Sequence, residues 1–331
     1  MFPGQNSQIK GMGEQAYYAS DEARRIFYIG SEVFETDLSE ICFGSETDKL
    51  STPLVQPAIV ASELAKYSVM KGKGFSPVLL MGHSLGEISA LGAAEGISTE
   101  DVFKVTKARV EATGTKKVRS GVMAAVLGLT NEQHLEVLAH TNERLKKIGS
   151  KAMAYTANHN WRLEQVLSGH PEAIDRFQRV VKRLEGLDIV GRAGVLKLKV
   201  PGAFHSPFNE DGVEIYREAF QSVERRIPRV MLLNNKGQYM INPDLYPDYY
   251  AGQLVNGVRW DLMMHIAARD GITDFVEVPP SDDPKKAALS GLIRKEFEGH
   301  TIEVPKDYGQ VVRVDWRPEL SEYLSAELEA V

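Results

Sequence analysis

The chain has 331 residues, of which 43% are hydrophobic and 25% are charged, and it carries a formal net charge of −6 and one cysteine, Cys42. This size and composition indicate a globular protein of about two domains, or one large α/β domain with an insertion. The charge argues against a nucleic-acid partner, the lone cysteine excludes an internal disulfide, and no apolar run approaches the roughly 18 residues that span a bilayer. We therefore expect a cytoplasmic protein with no membrane partner.

The first distinctive element is a predicted buried strand at residues 76–82, where an apolar run is bounded by turn formers. A serine between two glycines, Ser84, comes directly after this strand, and a run rich in small residues follows it. Residues 98–114 are predicted to form a helix, because a capping serine and threonine precede two acids and Gly114 ends the run.

The pattern changes after this helix. Five segments are predicted in the order strand, helix, strands, helix and strand, at residues 121–130, 131–149, 153–160, 170–187 and 194–200. This order within about 80 residues is typical of a ferredoxin-like unit. We predict that residues 122–199 form a small subdomain, inserted into a large subdomain made of residues 1–121 and 200–331.

The stretch from Gly82 to Gly86 matches the G-x-S-x-G pattern of a nucleophile elbow. Its glycines would relieve crowding at a sharp strand-to-helix turn, and Ser84 would stand at a helix N-terminus, where free N–H groups favour a developing oxyanion. A purely structural glycine-rich turn is the alternative. The predicted strand and helix on either side favour the nucleophile.

A serine nucleophile needs a base, and the chain has eight histidines. Four of them are predicted to be solvated because they lie in polar segments: His134, His140, His170 and His300. His83 adjoins the serine, but neighbours in an extended strand point to opposite sides. His205 follows a predicted strand in a loop that contains glycine and proline, which is a favourable position for a catalytic base.

Eight motifs in order extend the comparison beyond the serine pattern. They are MFPGQNSQIKGMG, QPAIVAS, GHSLGEISAL, an arginine 25 residues after the serine, VMAAVLGL, GAFHSPF, LLNN and QLVNGVRW. Together they resemble the malonyl-CoA:acyl-carrier-protein transacylases, including the trans-acting acyltransferases of polyketide synthases, over roughly residues 1–295. We predict an α/β fold with an α/β-hydrolase-like large subdomain, a parallel sheet and an inserted ferredoxin-like small subdomain.

The resemblance implies a role for each matching residue. Ser84 would be the acylated nucleophile, and His205 would act first as general base and then as general acid. In this family a backbone carbonyl orients the histidine, and the matching position is Gln253. The backbone N–H groups of Gln5 and Leu85 would form the oxyanion hole.

Two further residues would select the acyl group. Arg109 would hold the free carboxylate of malonyl, since a guanidinium binds a carboxylate through two parallel hydrogen bonds. Its alternative is an ordinary surface arginine of a helix. Phe204, directly before the histidine, would crowd a branched α-carbon, because phenylalanine accompanies malonyl in related polyketide acyltransferases.

The implied reaction is malonyl transfer from malonyl-CoA to the phosphopantetheine thiol of an acyl carrier protein, by a ping-pong mechanism, in fatty-acid or polyketide synthesis. We expect no metal and no cofactor besides these substrates. The alternatives are a proofreading acyl hydrolase on the same fold, an ordinary esterase, and a non-catalytic scaffold. Two basic clusters could dock an acidic carrier: Lys116, Lys117 and Arg119, and Arg179, Lys182 and Arg183.

Four stretches depart from the family pattern. Asn6 replaces a glycine of the oxyanion loop, and Val110 replaces a glycine after the arginine. Trp161 and Arg162 are bulky where the family has small residues, and residues 279–286 lengthen a glycine-proline-glycine turn. The last two departures are expected to affect the choice of acyl group or carrier.

Overall fold

The computed structural model of the chain describes residues 1–278, 287–306 and 309–314. Its α-helices are α1 (Glu14–Ala19), α2 (Asp21–Phe34), α3 (Leu38–Cys42), α4 (Val55–Gly72), α5 (Gly86–Ala93), α6 (Thr99–Thr113), α7 (Lys116–Arg119), α8 (Asn131–Lys147), α9 (Pro171–Gly186), α10 (Val213–Gln221), α11 (Tyr246–Gln253), α12 (Trp260–Arg269) and α13 (Ala288–Glu296). Its strands are β1 (Leu79–Met81), β2 (Val122–Leu127), β3 (Ala154–Trp161), β4 (Glu164–Gly169), β5 (Gly194–Lys197), β6 (Met231–Leu233), β7 (Val258–Arg259), β8 (Asp274–Phe275), β9 (Thr301–Lys306) and β10 (Gly309–Val314).

The chain divides into two compact units. The first contains Met1–Lys107, Val223–Asp244 and Leu262–Val331, and the second contains Ala108–Ser222 and Leu245–Asp261. The predicted insertion lies wholly within the second unit, which also takes in residues on both sides of it.

Parallel strands run through the first unit. β1 pairs in parallel with β6. On the other side of β1, Phe2 bridges Gly82 in parallel and donates its N–H to the Met81 carbonyl at 2.9 Å. The N–H of Val278 donates to the Met1 carbonyl at 2.8 Å, so the first two residues lie between β1 and the segment that follows β8. The parallel arrangement confirms the predicted α/β class.

Helix α4 forms much of the core of the first unit. Most of its residues are buried, including Ile59, Val60 and Leu64, and α2, α3 and α5 pack against it. A helix that is apolar on nearly every side is stable only when it is enclosed in this way. In the same unit, β8, β10 and β9 form an antiparallel sheet.

The second unit contains a five-stranded sheet with the order β5-β2-β4-β3-β7. Strands β2 to β5 pair antiparallel, and β7 joins β3 in parallel. Helices α8 and α9 supply Leu145 and Phe177 to one core with Ala124 and Leu167 of the sheet. The succession β2-α8-β3-β4-α9-β5 is ferredoxin-like. It confirms the predicted small subdomain architecture.

The prediction of a solvated His134 is wrong. The side chain is fully buried, and its Nε2 lies 2.9 Å from Thr156 Oγ1. Burial lowers its pKa to about 3, with a smaller contribution from nearby His159. His134 shares the buried face of α8 with Val137 and Leu138, three and four residues further on, a pattern that the polar residues of this helix obscured.

No helix in residues 1–278, 287–306 and 309–314 is long and apolar enough to cross a membrane.

Candidate active site

Ser84 lies in a sharp turn of the first unit, between β1 and α5, and has a left-handed backbone with φ of 55°. The turn requires glycine on both sides. A Cβ atom on Gly82 would lie 2.1 Å from the carbonyl oxygen of Gly86, and one on Gly86 would lie 2.1 Å from the carbonyl oxygen of Phe2. The structure therefore has the tight strand-turn-helix geometry of a nucleophile elbow.

A buried asparagine holds this turn from the neighbouring strand. Asn235, just after β6, accepts the Ser84 N–H on Oδ1 at 3.0 Å and donates from Nδ2 to the Gly82 carbonyl at 2.7 Å. Its own N–H donates to Glu87 Oε1 at 2.9 Å. Sequence reasoning noted the LLNN motif only as a resemblance and gave Asn235 no role. The signal was its place after a strand, because adjacent parallel strands end at the same edge of a sheet.

The two residues predicted for the oxyanion hole belong to adjoining segments of the first unit. Leu85 is buried at the start of α5, and Gln5 follows Gly4, whose added Cβ would lie only 2.6 Å from the His83 carbonyl. Asn6 has φ of 83°. Asparagine tolerates this left-handed conformation, which glycine also adopts, better than most residues do.

His205 lies in the second unit, in the loop between β5 and α10, and is 4% exposed. Its Nδ1 is 2.9 Å from the carbonyl oxygen of Gln253, the last residue of α11. A carbonyl oxygen can only accept, so this contact requires a proton on Nδ1 and leaves Nε2 as the basic nitrogen of the neutral ring.

The histidine loop is held by residues that sequence reasoning missed. His205 itself has φ of 54°, which a residue other than glycine adopts only when its surroundings impose it. The carbonyl of Ala203 accepts from Ser206 Oγ at 2.9 Å and from Asn209 Nδ2 at 2.8 Å. Both side chains are buried. Both residues belong to SPFN, the segment directly after His205. A small hydroxyl and an amide so close to a loop histidine were the sequence features that could have predicted their role in holding the loop.

The predicted acyl-selecting residues also belong to the second unit. Arg109 is 4% exposed in α6, so it is not an ordinary surface arginine. A buried guanidinium is a group that requires an acidic or hydrogen-bonding partner. Phe204 is half-buried and packs against Met123, Ala157 and Val166 of the sheet.

The bulky residues that depart from the family pattern lie at the turn between β3 and β4. Glu164 accepts from Trp161 Nε1 at 3.2 Å and from Asn160 Nδ2 at 2.9 Å. The Arg162 guanidinium carbon is 5.9 Å from the centre of the Trp161 ring. These side chains therefore form one local cluster. The other departure, at residues 279–286, lies outside the described residues.

Within the described ranges, no three His, Cys, Asp or Glu side chains are grouped so that they could hold a metal ion. The residues predicted for the site instead offer a serine hydroxyl as nucleophile and a histidine Nε2 as base. The first unit carries Ser84 with Gln5 and Leu85, and the second carries His205 with Gln253.

Comparison with known proteins gives consistent matches over most of the chain. Residues 1–292 match the family described as the acyl transferase domain. A malonyl CoA-acyl carrier protein transacylase of Staphylococcus aureus is 31% identical over 305 residues, which cover 89% of this chain and 91% of the relative. A Bacillus subtilis protein of the same name is 29% identical over 298 residues, 89% of each chain.

The fold is also shared with solved structures. One of them is the complex of a type II polyketide synthase acyl carrier protein with its malonyl-transacylase. It aligns with a TM-score of 0.76 and 26% identity, over 88% of this chain and 90% of that chain. With the serine elbow in place and the family match extending over residues 1–292, the chain belongs to the acyl transferase domain family.

Proposed function

We propose that this protein transfers a malonyl group from malonyl-CoA to the phosphopantetheine thiol of an acyl carrier protein. The observation that carries the proposal is the left-handed turn of Ser84 between β1 and α5, which presents a serine at the start of a helix. The choice of malonyl as the acyl group and of an acyl carrier protein as the acceptor is supported by the names of the relatives. The reaction would serve fatty-acid or polyketide synthesis.

In the first half-reaction, Ser84 Oγ attacks the thioester carbonyl while Nε2 of His205 takes the serine proton. The carbonyl oxygen becomes an oxyanion, which the N–H groups of Gln5 and Leu85 stabilise. The carbon–sulfur bond then breaks, the thiol of coenzyme A leaves with the proton from His205, and malonyl-Ser84 remains. Gln253 contributes its carbonyl, which keeps the proton on Nδ1 and fixes the ring.

The second half-reaction reverses these steps with a new thiol. His205 deprotonates the phosphopantetheine thiol, the sulfur attacks the malonyl-serine ester, and Ser84 recovers its proton as the ester bond breaks. Arg109 binds the malonyl carboxylate during both steps, which fixes the acyl group and limits the room for water. Its burial supports this role, because a carboxylate and a guanidinium attract each other more strongly away from solvent.

Phe204 limits the acyl group to one without a branch at the α-carbon. One misplaced methyl group is worth about 1–3 kcal/mol, so the preference for malonyl over methylmalonyl is partial. We also propose a cytoplasmic location. The single cysteine is buried and free, which suits a reducing compartment.

The competing functions are less well supported. The Bacillus subtilis and Staphylococcus aureus relatives are named as transacylases, which favours transfer over hydrolysis. A hydrolase for uncharged acyl chains would have no use for a buried arginine at position 109. An ordinary esterase would orient its histidine with a carboxylate, whereas His205 has the Gln253 carbonyl.

Intact mass spectrometry tests the proposal directly. The protein is incubated with malonyl-CoA or acetyl-CoA, with and without a carrier protein that bears phosphopantetheine. We expect a malonyl adduct on Ser84 that disappears when the carrier is added, together with malonylated carrier. Release of free malonate without carrier acylation would instead identify a hydrolase, and an unmodified protein would exclude acyl-serine chemistry.

A further inference from the structure

The LLNN segment has no part in the proposed mechanism, although its second asparagine forms hydrogen bonds with the turn of Ser84. Asn235 is 2% exposed and forms hydrogen bonds with each of Gly82, Ser84 and Glu87. All four residues belong to the first unit. A buried side chain that bonds to the turn at Gly82 and at Ser84 is placed to fix its geometry.

The two side-chain bonds span the turn. Nδ2 donates to the carbonyl of Gly82 at 2.7 Å, before the serine, and Oδ1 accepts the N–H of Ser84 at 3.0 Å. One planar amide therefore sets two peptide groups relative to each other. His83 lies between these two peptide groups, and Ser84 follows it. The backbone of these two residues sets the direction of Ser84 Oγ and of the Leu85 N–H.

Glu87 fixes the asparagine in turn. The Glu87 carboxyl group accepts a hydrogen bond from the backbone N–H of Asn235 at 2.9 Å. Glu87 is fully buried in the first turn of α5. The segment after β6 thus donates a hydrogen bond to the first turn of α5 and accepts one from the serine turn that precedes this helix.

The backbone of Ser84 needs such support. A non-glycine residue at φ of 55° is held about 1–2 kcal/mol above its preferred conformation, so the turn would relax if its hydrogen bonds were removed. Relaxation would move the serine oxygen and the oxyanion donors together. Displacements of about 1 Å in reacting groups cost about 100-fold in rate.

We propose that Asn235 is a positioning residue for the reaction, which holds Ser84 and the N–H of Leu85 in their reactive geometry, and that Glu87 locks it in place. The side-chain bonds of Asn235 to Gly82 and Ser84 end on main-chain atoms, so its role is to position the turn. The proposal rests on the proposed function only in taking Ser84 as the nucleophile.

Single-turnover acylation separates this role from a structural one. Enzyme is mixed with saturating malonyl-CoA, quenched at intervals, and the acyl-enzyme is counted by intact mass. The amplitude reports the fraction of folded enzyme, and the rate constant reports the geometry of each folded site. For Asn235→Leu we expect a rate constant about 100-fold lower, with little change in half-saturation by malonyl-CoA.

The neighbouring asparagine gives a matched control. Asn234 is 1% exposed, its Oδ1 accepts the N–H groups of Lys236 and Gln238, each at 2.9 Å, and its Nδ2 faces Met240 Sδ at 3.2 Å, so these side-chain bonds lie outside the serine turn. Asn234→Leu is expected to lower the melting temperature and the amplitude but to leave the rate constant unchanged. If both leucine variants lose only amplitude, Asn235 is structural and the proposal fails.

A second pair of variants covers the case in which Asn235→Leu does not fold. Glu87→Gln keeps an acceptor for the Asn235 N–H and should retain the wild-type rate constant, whereas Glu87→Leu should lower it by about tenfold or more. Equal rate constants for the two variants would show that Glu87 does not hold Asn235 in place.

The same experiment with p-nitrophenyl acetate distinguishes failure of the proposed function. If wild-type Ser84 is acylated by this ester but not by malonyl-CoA, the malonyl assignment fails and the Asn235 comparison proceeds with the ester. If neither reagent acylates Ser84, both proposals are overturned.

Discussion

His205 Nδ1 lies 2.9 Å from the main-chain carbonyl of Gln253, so a backbone atom takes the place that a carboxylate has in many serine enzymes. The orienting group is therefore independent of the side chain at position 253. Gln253→Ala should keep kcat within about tenfold of the wild-type value, a change of at most about 1.4 kcal/mol. Steady-state kinetics with malonyl-CoA and carrier measure this. A loss of three orders of magnitude would mean that the glutamine side chain itself acts.

Loss of the base should be severe. His205→Ala leaves Ser84 without a group to take its proton, and general-base catalysis contributes about 100-fold to 10,000-fold. We expect kcat to fall within that range or further. A decrease smaller than about tenfold would point to another base, of which His83 is the nearest in sequence.

Ser84→Ala should abolish acyl-enzyme formation, because the turn presents one hydroxyl at the start of α5. Incubation with malonyl-CoA followed by intact mass spectrometry measures the adduct. The melting temperature of the variant provides the control for folding. Malonyl bound covalently to this variant would place the nucleophile elsewhere.

Arg109→Ala should weaken the preference for malonyl over acetyl by about 100-fold or more. The malonyl carboxylate would lose its cation in a buried place, which costs a few kcal/mol, about 100-fold or more in transfer rate. Acetyl carries no charge, so its transfer or hydrolysis should persist or rise. The ratio of kcat/KM for malonyl-CoA and acetyl-CoA is the measurement. A variant that retains the wild-type ratio would show that the carboxylate binds elsewhere, with Arg119 and Arg162 as the next residues to test.

The basic clusters on α7 and α9 are exposed, as a docking surface for an acidic carrier requires. Lys117 is also engaged by Glu210 and Asp211, at 3.7 and 3.6 Å, so the other two residues of its cluster are better targets. Reversal of Lys116 and Arg119, or of Arg179 and Lys182, to glutamate should raise KM for the carrier but not for malonyl-CoA, most strongly at low salt.

The control for docking is a reversal of Arg144 and Lys146 on α8, which makes the same change in net charge at another exposed site. This control should leave carrier KM unchanged. If neither cluster pair affects carrier KM more than the α8 pair does, both clusters are merely solvated surface.

Buried His134 should make the protein acid-sensitive. Its pKa is about 3 when folded and about 6.5 when unfolded, so between these values only the unfolded chain takes up a proton. Its contribution to stability is complete above about pH 6.5 and decreases as the pH falls toward 3. From pH 7 to pH 5 the free energy of unfolding should decrease by about 2 kcal/mol through this residue alone.

Urea unfolding at the two pH values measures this loss. His134→Gln should remove about 2 kcal/mol of the pH dependence, whereas His140→Gln, at an exposed position of the same helix, should remove little. Equal pH dependence in wild type and His134→Gln would show that the folded protein accommodates the charged ring.

Local signals made the small subdomain predictable. The predicted helix at 131–149 is observed as Asn131–Lys147, because a capping box of Thr130 and Gln133 marks its start. Long-range relationships were not predictable in this way. Asn235 reaches Ser84 only because β6 is parallel to β1, and nothing within LLNN specifies that pairing.

The burial of individual polar residues was also beyond local patterns. Arg109 was singled out by resemblance, although it lies four residues after Val105 and seven after Val102, on the buried side of α6. The error at His134 arose because α8 is rich in polar residues, so the sequence did not show that His134 lies on the apolar face of this helix. In both cases the packing of the whole unit decides what the sequence of one helix leaves open.

The left-handed backbones of Ser84 and His205 have a consequence for directed evolution. Glycine adopts φ near 55° without the steric cost of about 1–2 kcal/mol that other residues carry. Ser84→Gly, which removes only a small side chain, could therefore gain heat tolerance while it destroys the nucleophile. A library of this chain screened for thermal tolerance alone would enrich such inactive variants, so turnover has to be selected in every round.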